Sequence, residues 1–262
     1  MDYQFKAGTI ALLVSMPHAG TDIPDDLAAR MTSGALELAD TDWHLRELYG
    51  FLGEMGASVI SARWSRYVID LNRPADDTNL YPGLSTTGLC PVDTFRSEPI
   101  YLDGNGPDAE QVQARLRLYW APYHRQLRAE LDRMLAIHPR VALWDAHSIA
   151  SRMPRFFEGR LPDLNFGTAQ GTSCDAGMQD AVINVASAQD RFSVAVNGRF
   201  KGGHITRHYG QPHNNVHAIQ LEMCQCLYMD EQAPFAYRPE LAAPVQPLLG
   251  KLAGAAVEWL RA

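Results

Sequence analysis

Two histidines, His18 in "LLVSMPHAG" and His147 in "LWDAHSI", stand where runs of aliphatic residues give way to polar ones. In an open parallel sheet, ligands bind outside the carboxyl ends of the strands, so residues at such points are the first candidates for chemistry. Two imidazoles and one carboxylate make a three-ligand zinc site whose fourth position stays open for water, the arrangement of a catalytic rather than a structural metal. The string "ADTDWH" offers the carboxylate as Asp42, with Asp40 or Thr41 left to cap the helix expected to follow. A single histidine at a strand end is more often a hydrogen-bonded packing residue, so the weight lies in the combination.

Other strand-end strings add to the set. "DLNRP" presents Asn72 and Arg73, and Pro74 restricts Arg73 to an extended backbone. Its guanidinium suits a bidentate carboxylate or, alternatively, a structural pair with Asp70 or Asp76. "WDAHS" carries Asp145 and Ser148 beside His147, and "HAIQLEM" sets Gln220 and Glu222 on one strand face, with Ile219, Leu221 and Met223 on the other. An ionised Glu222 in an apolar strand needs a partner such as an arginine, or a task. In "GRFKGGHITRHYG", Lys201, His204, Arg207 and His208 gather among glycines; Arg207 is a second candidate for an anion, against the plainer reading of a solvated basic loop. Cys174 in "GTSCD" lacks the pattern of a nucleophile. His44, His124, His138, His213 and His217 are assigned to packing or surface roles.

The elements that must position these residues are legible as alternating patterns. Strand-like runs cover residues 10–16, 58–61, 67–71, 141–144, 192–196 and 218–223. Helical spacing covers 41–55, closed by Gly56, and 108–137, where Val112, Leu116, Tyr119, Tyr123, Leu127, Leu131 and Met134 form one stripe that Pro139 stops. A last helix is expected over 245–260. The alternation predicts an α/β fold of three layers, a mostly parallel mixed sheet with helices on both faces. Stretches 74–106 and 151–177, dense in turn-forming residues, are expected as long loops that line or cover a site.

The chain has 262 residues, nearly half of them apolar, which suits one catalytic domain over 1–262. A net charge of −7 and a pI near 5.7 exclude a broad basic surface for nucleic acid or an anionic membrane, so cations for an anionic ligand must be concentrated in a pocket. The apolar run 10–16 is too short to span a bilayer and lacks the flanks of a signal peptide, so a cytoplasmic location is expected. Cys90, Cys174, Cys224 and Cys226 form no CxxC pair and are read as reduced thiols. A monomer and a homodimer are both compatible with the long amphipathic helix.

Taken in order, "PHAG", "DTDWHLRELY", "VIDLNRPADDTNLYPG", "LWDAHSI", "GTSC", "KGGHITRHYG" and "HAIQLEM" resemble the N-formylglutamate amidohydrolase (deformylase) family of histidine degradation, from about residue 10 to 229. The resemblance implies a phosphorylase/hydrolase-like core, similar to that of zinc carboxypeptidases and aspartoacylase-like deacylases. It implies zinc, or another divalent metal such as cobalt, on His18, Asp42 and His147, with Glu222 as general base. It also implies Arg73, with Asn72, at a substrate carboxylate and Arg207 at a second anion. The sequence departs from the peptidase HxxE pattern, since no carboxylate follows His18 at that spacing and Asp22 stands one position further on. Asp42, Asp40 and Asp22 therefore all stay open as the third ligand. The implied reaction is hydrolysis of N-formyl-L-glutamate to formate and L-glutamate. Alternatives are a zinc hydrolase of N-formyl- or N-acetyl-aspartate, a non-catalytic dicarboxylate-binding protein and a cysteine hydrolase using Cys174.

Overall fold

The computed structural model describes residues 2–262. Seven strands, β1 (Tyr3–Lys6), β2 (Leu12–Met16), β3 (Ser58–Ala62), β4 (Val141–Ile149), β5 (Leu164–Gly167), β6 (Val194–Val196) and β7 (Val216–Cys224), form one sheet in the order β1-β3-β2-β4-β7-β5-β6. The β2–β3, β2–β4, β4–β7 and β5–β6 pairs are parallel, whereas β1–β3 and β5–β7 are antiparallel. The predicted mixed, mostly parallel sheet is the one observed. From β2 the chain goes to β3 on one side and later reaches β4 on the other, so the carboxyl ends of β2 and β4 flank a topological switch point.

Helices cover both faces. Single turns α1 (Asp25–Ala28), α2 (Leu45–Leu48) and α3 (Leu52–Met55) precede β3; α4 (Ala109–Arg115) and α5 (Ala121–Leu135) precede β4; then come α6 (Ala176–Ser187), α7 (His204–Tyr209) and α8 (Pro239–Arg261). Alternate residues of the central strands feed two cores. Leu12, Val14, Trp144, Ile219 and Leu221 pack with α6 and α8, whereas Leu13, Val141, Leu143 and Ala218 pack with α5. Complete burial on both faces explains why these strands read as continuous apolar runs.

Several elements differ from expectation. Residues 67–71 form no strand: Val68 N–H donates to Ser65 O (2.9 Å) and Asp70 N–H to Leu89 O (2.7 Å), so the segment turns over the α5-side core. Its apolar side chains are buried as the sequence implies, but β1, with the alternating pattern of an edge strand, takes the ladder beside β3. The 41–55 helix is two single turns, because His44 adopts a left-handed backbone (φ 60°) ahead of α2; Gly56 closes α3 at φ 84° as expected. The 108–137 helix starts on a capping box between Asp108 and Gln111, but a π-helical turn at Leu116–Trp120 interrupts it. The last helix begins at Pro239, β4 continues through His147 to Ile149 alongside β7, and the 151–177 stretch contains β5.

Candidate active site

On β4 and β7, the face that is apolar at Val141, Leu143 and Ala218 turns polar toward the carboxyl ends. Asp145 pairs in register with Gln220, and His147 with Glu222. His18 arrives from the turn after β2. That turn runs so close to the next segment that a Cβ on Gly20 would lie 2.3 Å from the Trp64 carbonyl oxygen, so only glycine fits. Asp42 is tied back to the same turn by its N–H on His18 O (3.0 Å).

One nitrogen of His18, one of His147 and an oxygen of Asp42 all lie within 4.8 Å of one another, and the three residues are buried, so this group could bind a metal ion. Asp42 Oδ2 is 3.1 Å from His147 Nδ1 and 3.7 Å from His18 Nδ1. The far side of each ring supports the same assignment. His18 Nε2 bonds Asp70 Oδ1 at 2.7 Å, while Arg66 Nη1, which can only donate, faces Nδ1 at 3.3 Å, so Nδ1 carries the lone pair. His147 Nε2 lies 3.0 Å from Asp145 Oδ1, a buried oxygen with no hydrogen-bond partner, and 2.8 Å from Asn72 Nδ2. The amide can donate only to a bare Nε2, whereas the carboxylate takes an Nε2 proton; in the second state Nδ1 of His147 is free for a metal. The donor set and its carboxylate backing suit zinc or a similar divalent ion.

The electrostatics follow from burial and facing charge. Burial works against a charged His147, yet the carboxylates of Asp145 and Asp42 hold its pKa well above the ordinary imidazole value. For His18, burial and the Arg66 charge prevail and its pKa is lowered. Asp70, despite burial, is held well below the carboxylate range by His18 and Arg66; the Arg66 Nη2 to Asp70 Oδ2 bond is 2.6 Å. Glu222 is pushed up to about 8, mainly by burial; His147 opposes the rise and Asp42 adds to it. A divalent cation bound beside it would pull it back down, because nearby positive charge favours the carboxylate. Among the described residues Glu222 makes no ion pair, so the arginine partner considered for it is not found.

These groups line one cavity of about 680 Å³, counted out to its open mouth, into which Arg66, Arg73, Tyr81 and Arg199 also face. Arg73 Nε is 4.0 Å from Asp70 Oδ2, so the structural pairing weighed for it is present in loose form while the side chain still faces the cavity. Asn72 lines the cavity too, but its amide is engaged: Oδ1 accepts from Ile205 N–H (2.7 Å) and Nδ2 donates to Asp145 (3.1 Å). Gly203 leaves room for that amide, since a Cβ there would lie 2.5 Å from Asn72 Nδ2. Arg207 is not brought to this wall; it donates to Gly202 O (2.8 Å) and lies over Tyr81. Of the other carboxylates considered, Asp22 pairs with Arg63 at 2.6 Å on exposed side chains. Asp40 accepts from Phe95 N–H (2.7 Å) and caps no helix. Cys174 is buried in the core with its thiol pushed up to about 12, chiefly by burial.

Arg66, Asp70 as partner of His18, and Arg199 are the residues that motif reasoning missed. Arg66 and Asp70 stand four positions apart, a spacing that puts two side chains together in a turn but far apart in the strand expected there. Arg199 arrives from the loop after β6, in the same glycine-rich string that singled out Arg207.

The model of the N-formylglutamate amidohydrolase family matches residues 10–229. A curated N-formylglutamate deformylase of Pseudomonas aeruginosa is 49% identical over 257 residues, 98% of this chain and 96% of the relative; one of Pseudomonas putida is 48% identical over 255 residues, 97% and 95%. The fold is shared with the crystal structure of an N-formylglutamate amidohydrolase from Ralstonia eutropha JMP134, at a TM-score of 0.84, 24% identity and coverage of 99% and 98%. A gene product of Agrobacterium tumefaciens superposes at a TM-score of 0.76 and 20% identity, covering 99% and 96%. With a family match over most of its length and relatives near half identity end to end, the chain belongs to the N-formylglutamate amidohydrolase family.

Proposed function

We propose that the protein hydrolyses the formyl amide of N-formyl-L-glutamate, giving formate and L-glutamate, with a divalent metal held by His18, Asp42 and His147. The observation that carries this reading is Glu222: a buried carboxylate that makes no ion pair among the described residues, beside His147 in the ladder and facing the cavity of the metal-competent triad. When bound, zinc, with cobalt as an alternative, supplies Lewis acidity toward the formyl carbonyl and acidifies water.

The chain's own groups carry the remaining work. Glu222 takes a proton from the attacking water as its oxygen bonds to the formyl carbon, then delivers it to the departing amine nitrogen as the C–N bond breaks. Arg66, fixed between Asp70 and the Phe95 ring, sets a permanent positive charge beside His18 to meet the charge that develops on the carbonyl oxygen. Asp70 and Asp145 hold the two imidazoles in orientation. Asn72 positions Asp145 and the start of α7, and Arg73 engages a substrate carboxylate. The relatives' names support the substrate, and the arginine-rich cavity in an acidic protein supports an anionic amide.

The test is formate release from N-formyl-L-glutamate by purified protein, before and after metal stripping and with zinc restored, with N-formyl-L-aspartate as the comparison substrate. Activity lost on stripping and regained with zinc is expected. Activity indifferent to stripping overturns the metal, and a preference for the aspartate derivative overturns the substrate.

A further inference from the structure

Resting on the deformylase reading, we infer that Arg199 is the specificity residue that holds the side-chain carboxylate of the substrate, while Arg73 holds the carboxylate next to the scissile amide.

The cations facing the cavity are not equivalent. Arg66 is bound to Asp70 and Arg73 lies beside the same carboxylate, so both are partly neutralised by a residue that also bonds His18. Arg199 makes no ion pair among the described residues. Its Nε donates to Phe156 O (2.7 Å) and its Nη2 approaches Ser85 O at 3.3 Å. Its guanidinium carbon lies 5.6 Å from the Tyr81 ring, 5.7 Å from Phe156 and 5.3 Å from Phe200. Neutral carbonyls and ring faces orient the fork without cancelling its charge.

A half-buried guanidinium held this way lacks the counter-ion that desolvation calls for, and the cavity is where one can enter. Burial lowers its pKa; Tyr81 and Glu222 oppose that and Arg73 adds to it, so the group lies in the field of both the general base and the other arginine.

Covalent distance in the substrate decides which arginine takes which carboxylate. The α-carboxylate is attached to the carbon that bears the scissile nitrogen, whereas the side-chain carboxylate is two methylenes further on. Arg73 belongs to the turn whose Asp70 bonds His18, at the reacting end of the cavity. Arg199 is braced on Ser85 and Phe156, from two loops that line the cavity but hold none of the triad residues. The charge-neutral side chain of N-formyl-L-glutamine would then leave Arg199 unpaired, which is how a site rejects an analogue that lacks the expected group.

The experiment compares zinc-loaded wild type, Arg199→Met and Arg199→Lys in kcat/KM on N-formyl-L-glutamate and N-formyl-L-glutamine, and in calorimetric affinity for glutarate. A charge-assisted pair lost from a desolvated site predicts that Arg199→Met loses on the order of 100-fold on N-formyl-L-glutamate and in glutarate affinity. Turnover of N-formyl-L-glutamine should be nearly unchanged, and Arg199→Lys should recover part of the preference. Equal losses on both substrates, or an intact preference, overturn the proposal. Should wild type release no formate, the deformylase reading fails by itself and glutarate still decides: affinity undiminished in Arg199→Met, or no binding even to wild type, overturns the role of Arg199.

Discussion

Two histidine clusters lie on opposite sides of the turn formed by residues 70–73. On one side, the Asp70 and Asn72 side chains meet His18 and His147. On the other, the turn offers only carbonyls: His124 Nε2 donates to Leu71 O (2.9 Å), the backbone N–H of His204 to Asn72 O (3.1 Å) and Trp120 Nε1 to Arg73 O (3.0 Å). The π-helical turn before α5 brings Trp120 over His124, with ring centroids 3.7 Å apart, and the Tyr209 hydroxyl lies 3.0 Å from His124 Nδ1. His147 and His124 are both buried, yet their protons behave in opposite ways. Carboxylates hold His147 well above the ordinary imidazole value, whereas burial, then the neighbouring His204, pushes His124 down to about 3. Burial therefore does not distinguish a candidate ligand from a packing residue; the charge facing the ring does.

Three variants test that contrast, beginning on the carboxylate-rich side with the largest effect. Glu222→Gln is expected to lower turnover by about 10²–10⁴-fold with zinc content per chain unchanged, measured by formate release and metal analysis. A change below about tenfold would remove Glu222 from proton transfer. Next, Asp70→Asn is expected to weaken zinc affinity by about 10–100-fold in competition with a chromophoric chelator, since the carboxylate orients the His18 ring. His124→Gln should leave that affinity unchanged, and equal weakening by both would erase the distinction between the clusters.

The smallest effect concerns acid stability. His124 titrates near 3 in the folded protein against 6.5 for a free imidazole, so between those values the unfolded chain binds the extra proton. Stability from this group is complete above about 6.5 and is lost as the pH falls toward 3; His204, lowered to about 4 chiefly by burial, acts in the same direction. His124→Gln keeps a donor for Leu71 O and cannot titrate. Its melting temperature should fall less steeply than wild type below pH 6.5, and parallel curves would show that His124 does not control the transition.

The contrast also marks where sequence reading succeeds. His18, His147 and Glu222 are nameable as candidates because strands of Val, Leu and Ile announce themselves and their carboxyl ends are where ligands bind, whereas Asp42 is one of three candidate aspartates outside the strands. Turns announce less. The apolar run at 67–71 has strand composition but is folded over the core, and only as a turn can it bring Arg66 to Asp70 and both to His18. The glycine-rich string after β6 was visible as a source of cations. Which of them faces the cavity depends on the path of a loop, and that path sets Arg199 on the wall and Arg207 against Gly202.

By itself, the sequence determined the layered α/β architecture and the identity of the groups at the carboxyl edge of the sheet, because periodicity and burial are local properties of side-chain order. The tertiary structure alone decided which of three aspartates meets the histidines, which imidazoles face carboxylates and which face carbonyls, and which of the cavity-lining arginines makes no ion pair among the described residues. Each of those depends on the relative placement of segments distant in the chain, and electrostatic character is a property of neighbours rather than of residue type.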